Sequence, residues 1–485
     1  VILPALVALP VAVGPLLRGS WDIWAQSLIH LITIGGTTLW LLSRTAVGYI
    51  PRPSTRNLTW VAVLLVLGLL AVFTSPARGL TYGEWFNFLN ALWLFPIMAV
   101  VTKDERMRVD TAIRIAAWIL MVLAFYQRIQ LGDARPSSAL VNQNIYAGTI
   151  LLLLPFAVEK RDWLLAGGLL INLWWAKSVG AWLGLSGALI ITLRWRNAAG
   201  FWLGACGALL CSVLIYSKFQ SPEVLNRWDW WQAAAQMVYD RPLSGYGPGT
   251  FAHALHSYRV GGGLSTQYAH QYFLQTAAEY GVLFAIIYFT GLWSCVMRGN
   301  SYKRFGALAI LLHSFWDWSL SMPANLWLFS YFAASSLRTE ERGVNVPLRW
   351  KLPVALTVTV VAGFFTVQAW GLWGADRAKA RASLALAGGD LPTAARELVV
   401  AKRLAPADPN VHLLISEIHL RGAEKEPQVL HAAAASLEQA AQANPFRAWT
   451  WTTLEAVYRR MGDARRAHAA RLRGAKWCAR LRGSA

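Results

Sequence analysis

The chain of 485 residues is 56% hydrophobic and only 14% charged, whereas a soluble protein carries about a quarter charged residues; a soluble enzyme is excluded and a multi-pass membrane protein remains. The formal charge of +20, from 45 basic and 25 acidic residues, sits largely on short loops between apolar runs, as positive-inside anchoring requires, so nucleic acid is not an expected partner. Four cysteines without CxxC or metal spacing exclude a disulfide framework, and 26 tryptophans suit the two membrane–water interfaces.

Apolar runs able to cross, or nearly cross, a bilayer core fall at 2–17, 24–43, 58–75, 83–101, 111–130, 140–158, 162–177, 179–194 and 199–216. Four more follow at 272–297, 304–318, 322–338 and 352–373, for a total of 12–13 spans. The first run reads as a span, with no separable cleavable leader. With a cytoplasmic N-terminus, inner loops hold seventeen Lys and Arg, among them Lys103, Arg106, Lys160, Arg194, Arg196, Lys303, Arg338 and Arg342. The outer short loops hold five: Arg18, Arg78, Arg128, Arg135 and Lys177. This split predicts that the long loop 217–271 is extracytoplasmic and, with an odd span count, that the C-terminus is too. The lipid bilayer is thus the first partner.

That loop is polar and rich in Gly and aromatic residues, more than a connector needs. It opens on Arg227 among Trp228, Trp230 and Trp231. A guanidinium matches phosphate oxygens with two parallel hydrogen bonds, although a snorkelling arginine has the same surroundings. Next comes Asp240-Arg241-Pro242-Leu243-Ser244-Gly245-Tyr246-Gly247-Pro248-Gly249, which reads as a tight turn in preference to a phosphate cradle. His253 and His256 lack a nearby carboxylate and are assigned no metal. The loop re-enters the membrane at His270, ahead of Leu274 and Glu279-Tyr280-Gly281. Near neutral pH this imidazole can accept a proton from a hydroxyl as it attacks.

Two other segments stand out. Asn142-Gln143-Asn144 opens the sixth span, and His313-Ser314-Phe315-Trp316-Asp317 precedes Leu320, Pro323 and Asn325. Ionisable groups at membrane depth are candidates for function, while Asp317 also suits a helix cap. Together these motifs resemble the O-antigen ligase and polymerase superfamily: an Arg before an aromatic helix, Pro-Leu-x-Gly-x-Gly, His-x-x-x-Leu-x-x-x-x-Glu-x-Gly, and His-Ser-x-x-Asp-x-x-Leu-x-x-Pro-x-Asn.

The resemblance implies an all-α, GT-C type, metal-independent and inverting glycosyltransferase without a cofactor. Its donor would be a glycan on undecaprenyl pyrophosphate, and its acceptor a lipid, a glycan or a protein. Ligase onto lipid A-core is the first choice, ahead of O-antigen polymerase and protein O-oligosaccharyltransferase. Arg227 and His270 would be catalytic. Substrate contacts would come from Lys177, Ser178, Asn142, Asn144, Arg241, His313 and Asp317. The chain departs from the family pattern where the usual Ser-Arg reads Ser178-Val179, leaving Lys177 as the cation two residues away. Gln271 also stands where Asn is usual after the His. From another class, the alternative is an inactive membrane scaffold that recruits an envelope partner.

After 373 the chain turns Ala-rich. Gly389, Ala394, Leu398, Ala401 and Pro406 are echoed by Ala433, Leu437, Ala440 and Pro445, then by Trp451, Leu454, Tyr458, Gly462 and Ala467. The spacing resembles tetratricopeptide repeats, with prolines 39 apart and an insertion near 421–428. Residues 374–485 are therefore expected to form a soluble, partner-binding repeat domain with a basic tail, following a membrane domain at 1–373.

Overall fold

The computed structural model describes residues 2–192, 222–258, 264–299, 302–336, 343–424 and 426–478, with isolated positions between 202 and 216. Half of the expected span 199–216 lies outside the described residues, as do Arg194, Arg196, Arg338, Arg342 and the tail beyond Cys478. The chain is all-α. Its strands among the described residues are β1 (Tyr49–Pro51) and β2 (Gly343–Asn345), paired antiparallel with Ile50 opposite Val344.

The membrane part opens with α1 (Ile2–Ala8), which runs on through a π turn at Leu9–Val13. There follow α2 (Ile23–Val47), α3 (Thr55–Thr74), α4 (Arg78–Ala99), α5 (Lys103–Ile129), α6 (Gln143–Glu159), α7 (Trp163–Ala176) and α8 (Val179–Thr192). The long loop holds α9 (Pro222–Asp240) and α10 (Phe251–Tyr258). Then come α11 (Tyr272–Tyr280), α12 (Val282–Arg298), α13 (Tyr302–His313), α14 (Pro323–Ser336) and the 40-residue α15 (Leu348–Ala387). Among the described helices, α2, α3, α5 and α15 are long and apolar enough to cross a membrane.

Local chemistry sets several of the starts. Thr102 and Glu105 form a reciprocal capping box on α5, with Glu105 Oε2 accepting from the Thr102 N–H at 3.0 Å. Asn142 caps α6 by accepting from the backbone of Asn144 (2.8 Å) and Ile145 (3.1 Å).

Three boundaries differ from the hydropathy reading. The run 272–297 is two helices, broken at Gly281 (φ 89°, ψ 159°). Only glycine adopts that conformation readily, and a Cβ there would meet the Leu243 carbonyl. The run 304–318 ends as helix at His313, which leaves 314–322 as a polar connector before α14. Nothing breaks at 374, since α15 carries straight on to Ala387.

The core is centred on α14, where Trp327, Tyr331 and Phe332 are fully buried against α4, α6 and α13. At one end of this bundle Asp110 takes Lys303 at 2.6 Å, Lys160 at 2.8 Å and the Tyr331 hydroxyl at 2.8 Å. That single carboxylate joins α5, α6, α13 and α14.

Beyond α15 the chain continues as α16 (Leu391–Leu404), α17 (Pro409–Gly422), α18 (Leu430–Ala443), α19 (Ala448–Arg460) and α20 (Ala464–Trp477), each packed on the one before it. Two turns are built alike. Gly389 and Gly462 have positive φ, the N–H groups of Asp390 and Asp463 donate to the Ala385 and Tyr458 carbonyls at 2.9 Å, and each Asp carboxylate then caps the next helix. The Pro406 carbonyl pairs with His412 at 2.7 Å as the Pro445 carbonyl pairs with Trp451 at 2.8 Å. These helices rest on the long loop: Phe446 is buried against Tyr246 and Trp477, and the Trp477 carbonyl accepts from Ser257.

Candidate active site

Two loop motifs that are remote in sequence form one unit. In the Pro-Leu-x-Gly-x-Gly turn, the N–H groups of Tyr246 and Gly247 donate to the carbonyls of Ala278 and Glu279 at 2.9 and 2.8 Å. The Val282 N–H returns to the Pro242 carbonyl at 2.7 Å, and Glu279 Oε1 accepts from the Phe251 N–H at 3.1 Å. Gly245, Gly247 and Gly249 all have positive φ. The glycines therefore build a turn whose N–H groups at 245–247 are spent internally, as the sequence predicts, and not on a phosphate.

On this base α9 buries Trp230, Ala233, Ala234 and Met237 toward α11, at the spacing of one helical face. Arg227 lies one turn earlier on the same side. Its Nη1 donates to the Trp316 carbonyl at 2.7 Å, and its Nη2 lies 3.8 Å from Asp317 Oδ2.

His270 reaches the same oxygen, with Nδ1 3.7 Å from Asp317 Oδ2. That is ion-pair distance but too long for a direct hydrogen bond. The ring is stacked on Trp230 (5.1 Å between centroids) and meets Trp318 edge-on. His270 has φ 53°, a left-handed conformation that costs a non-glycine residue free energy and marks a constrained position. Its neighbours hold it: Gln271 caps α11, and the Tyr272 N–H donates to the Ser314 carbonyl at 2.9 Å.

Asp317 is buried, its side chain only 2% exposed. Its Oδ1 accepts from the Trp318 N–H at 2.8 Å, so Oδ2 faces both Arg227 and His270. Behind it His313 Nε2 pairs with Ser319 Oγ at 3.0 Å, and Asn325 binds the Ile145 and Ser319 carbonyls. Gly180 of α8 makes room for the His313 ring, and Gly184 for the Ala309 carbonyl and the His313 backbone, where a Cβ would press on each.

A cavity of about 700 Å³ opens beside this cluster. Arg227, Asp317, Lys177, Ser178 and Asn144 line it, together with Val179 and Arg135. The structure thus brings five of the nine sequence candidates into one space. His270 joins them through Asp317. His313 supports the connector from behind, and the Asn142 side chain is spent on its cap. Arg241 sits at the other end of α9, donating to the Thr74 carbonyl at 3.2 Å and covering the Tyr246 ring.

A family model described as O-antigen ligase matches residues 164–289. The chain carries an O-antigen ligase domain. No curated protein matches the chain significantly. The matched segment spans Lys177, Ser178, Arg227, Arg241 and His270, and the likeness supports glycan transfer of the ligase or polymerase type in general.

Outside the segment matched to the O-antigen ligase family, Arg135 is the cation that sequence reading passed over. It reaches the end of α7 through the Ala176 carbonyl at 3.4 Å from both Nε and Nη2, and it lines the same cavity as Lys177. In sequence it is one of five outer-loop charges, and its place between α5 and α6 gives no sign of that reach.

Proposed function

We propose that the chain transfers a glycan from undecaprenyl pyrophosphate to a hydroxyl acceptor at the outer face of the bacterial cytoplasmic membrane. A lipid A-core type ligase is the reading favoured over an O-antigen polymerase or a protein O-oligosaccharyltransferase. What carries this reading is that Arg227 and His270 meet at one carboxylate oxygen of Asp317, beside a cavity with two further cations.

In this mechanism the pyrophosphate lies against Arg227, Lys177 and Arg135. The negative charge of Asp317, 3.7 Å from Nδ1, favours the tautomer with its proton on that nitrogen, so Nε2 is the nitrogen that takes the proton from the acceptor hydroxyl. The acceptor oxygen bonds to the anomeric carbon from the face opposite the pyrophosphate. The carbon–oxygen bond to phosphate breaks, and undecaprenyl pyrophosphate leaves with its charge neutralised by the cations. The configuration inverts and no metal is required. Lys177 and Arg135 stand in for the family arginine whose position holds Val179.

Orientation has support beyond charge counting. The pairing of β1 with β2 joins the loops after α2 and before α15 on one side, which agrees with both being cytoplasmic. The helices after α15 rest on the long loop, in accord with an extracytoplasmic C-terminus. Their repeated Gly-Asp turns and the proline carbonyls bonded six residues on support a tetratricopeptide-repeat reading of 374–485 as a partner-recruiting domain.

The test is glycan transfer in reconstituted membranes with chelator present. Arg227→Ala should weaken donor binding and slow transfer. His270→Ala should keep donor binding and lower the rate by about 10²–10⁴-fold. Wild-type transfer surviving in both variants overturns the mechanism.

A further inference from the structure

A second cavity, of about 440 Å³, lies among α2, α3, α4 and α15. None of these helices lines the Arg227 cavity, so the two spaces lie on separate flanks of the bundle. Its wall contains no Asp, Glu, Lys or Arg and is mostly aliphatic and aromatic. Because α2, α3 and α15 are membrane-crossing by length and composition, the surrounding medium is hydrocarbon.

His30, Asn90, Thr38 and Thr357 break this wall, and the two threonines bond carbonyls of their own helices at 2.8 and 2.9 Å. Nδ2 of Asn90, a residue 7% exposed, lacks a hydrogen-bond partner, and His30, 1% exposed, has the Asn87 amide as the polar side chain beside its ring. Phe86 holds the His30 ring edge-on at 4.5 Å between centroids, so it does not swing to water. A donor left unpaired in hydrocarbon is costly, and such groups mark the place where a ligand atom satisfies them.

We propose that this groove holds the fatty-acyl chain of an acylated membrane lipid, and that this lipid is the glycan acceptor. An ester, amide or hydroxyl oxygen on the chain accepts from Asn90 Nδ2 and pairs with His30, while the hydrocarbon beyond it runs along Ile34, Leu65, Val361 and Phe365. A polyprenyl tail offers no oxygen at that level and leaves the Asn90 donor unpaired. The acceptor role rests on the proposed transfer reaction.

The path toward His270 is short. Three and six residues before Asn90, α4 carries Asn87 and Glu84, which line a small cavity of about 50 Å³ together with Tyr268. Tyr268 stacks on Trp318 at 4.1 Å, and Trp318 meets the His270 ring. Donor tail and acceptor chain thus approach the same imidazole layer from different flanks.

The experiment uses the full chain in lipid nanodiscs with two photoactivatable probes. One is a phosphatidylethanolamine with a diazirine on its acyl chain, the other a diazirine-bearing polyprenyl phosphate, and cross-links are mapped by mass spectrometry. The acyl probe should label peptides containing Leu65 and Val361. Ala362→Trp, which fills the groove, should cut that labelling by about tenfold, and Asn90→Leu by about fivefold. Should Ala362→Trp fail to insert, Val358→Trp serves in its place. In the same variants KM for a lipid acceptor should rise in step while polyprenyl labelling near Trp228 stays at wild-type level. No acyl labelling in the groove, equal labelling there by the polyprenyl probe, or labelling that ignores the filled groove overturns the site. Groove labelling that is lost without any change in transfer to lipid overturns the acceptor role alone. Intact labelling in a wild-type protein without transfer overturns the reaction and the acceptor role together, and leaves the lipid site standing.

Discussion

Asp317 is the residue on which the two candidate catalytic groups depend. One of its oxygens is tied to the Trp318 backbone, so the other is aimed between Arg227 and His270. Asp317→Asn preserves the size but removes the charge that favours a protonated Nδ1 on His270. Transfer should fall by about 10²–10⁴-fold with donor binding little changed, and a variant with wild-type turnover would remove Asp317 from the mechanism. The cavity cations make a separate prediction: Lys177→Arg should be tolerated, whereas Lys177→Ala and Arg135→Ala should each weaken donor binding, and the double variant more than either. A donor-binding isotherm for each variant checks this, and an unaffected double variant would mean that Arg227 acts alone. Arg227, His270 and Asp317 were legible because each sits in a motif with fixed spacing. Arg135 was not, because its link to the end of α7 is a through-space hydrogen bond to the Ala176 carbonyl. Nor could spacing reveal that the Trp316 carbonyl anchors the guanidinium, since a backbone atom leaves no trace in residue identity.

The order of the apolar helices among the described residues was readable from hydropathy because a bilayer demands long apolar runs. The breaks were less so. Nothing in the apolarity of 272–297 announces a change of direction, which is set by the backbone of Gly281 and by the Leu243 carbonyl against it. The same limit hid the continuity of α15, where composition changes near 374 while the helix does not. What holds the bundle at its other end is also a matter of pairing across elements. Asp110 serves Lys303, Lys160 and Tyr331, from three different helices or their ends, and the sequence shows the two lysines only as loop charges and Tyr331 only as part of an apolar run. Asp110→Ala strands a buried Lys303 and should destabilise the bundle by about 3 kcal/mol or more. Replacing both partners, Asp110→Leu with Lys303→Met, should recover much of that loss, because an apolar pair has no stranded charge. Thermal unfolding in nanodiscs, followed by tryptophan fluorescence, reads both; a double variant as unstable as the single one would show that the pair contributes more than mutual neutralisation.

Docking of the C-terminal helices on the long loop makes one assembly of the two halves, and its chemistry gives it a pH dependence. Phe446 fills an apolar seat beside Tyr246 and Trp477, while the Asn444 amide lies 3.3 Å from Nδ1 of His253. Burial pulls the His253 imidazole from 6.5 down to about 4, and the charges of Arg447 and His256 push the same way. The docked state therefore favours the neutral ring, whose Nδ1 accepts from Asn444; a protonated ring can only donate and would also face Arg447. A folded pKa below the unfolded one means that the contribution is complete above about 6.5 and is lost progressively as pH falls toward about 4. Docking should accordingly loosen in mild acid while the apolar seat of Phe446 keeps the halves associated. Hydrogen exchange, corrected for intrinsic rates, should show protection at 251–258 and 444–451 falling between pH 7.5 and pH 5, roughly in proportion to the window between the two pKa values. His253→Asn keeps a neutral hydrogen-bonding side chain and should flatten that profile, whereas Phe446→Ala should lower protection at every pH without changing its slope. If His253→Asn retains the wild-type slope, another group governs the contact, and His256, paired with Ser265 at 3.3 Å, is the next to replace.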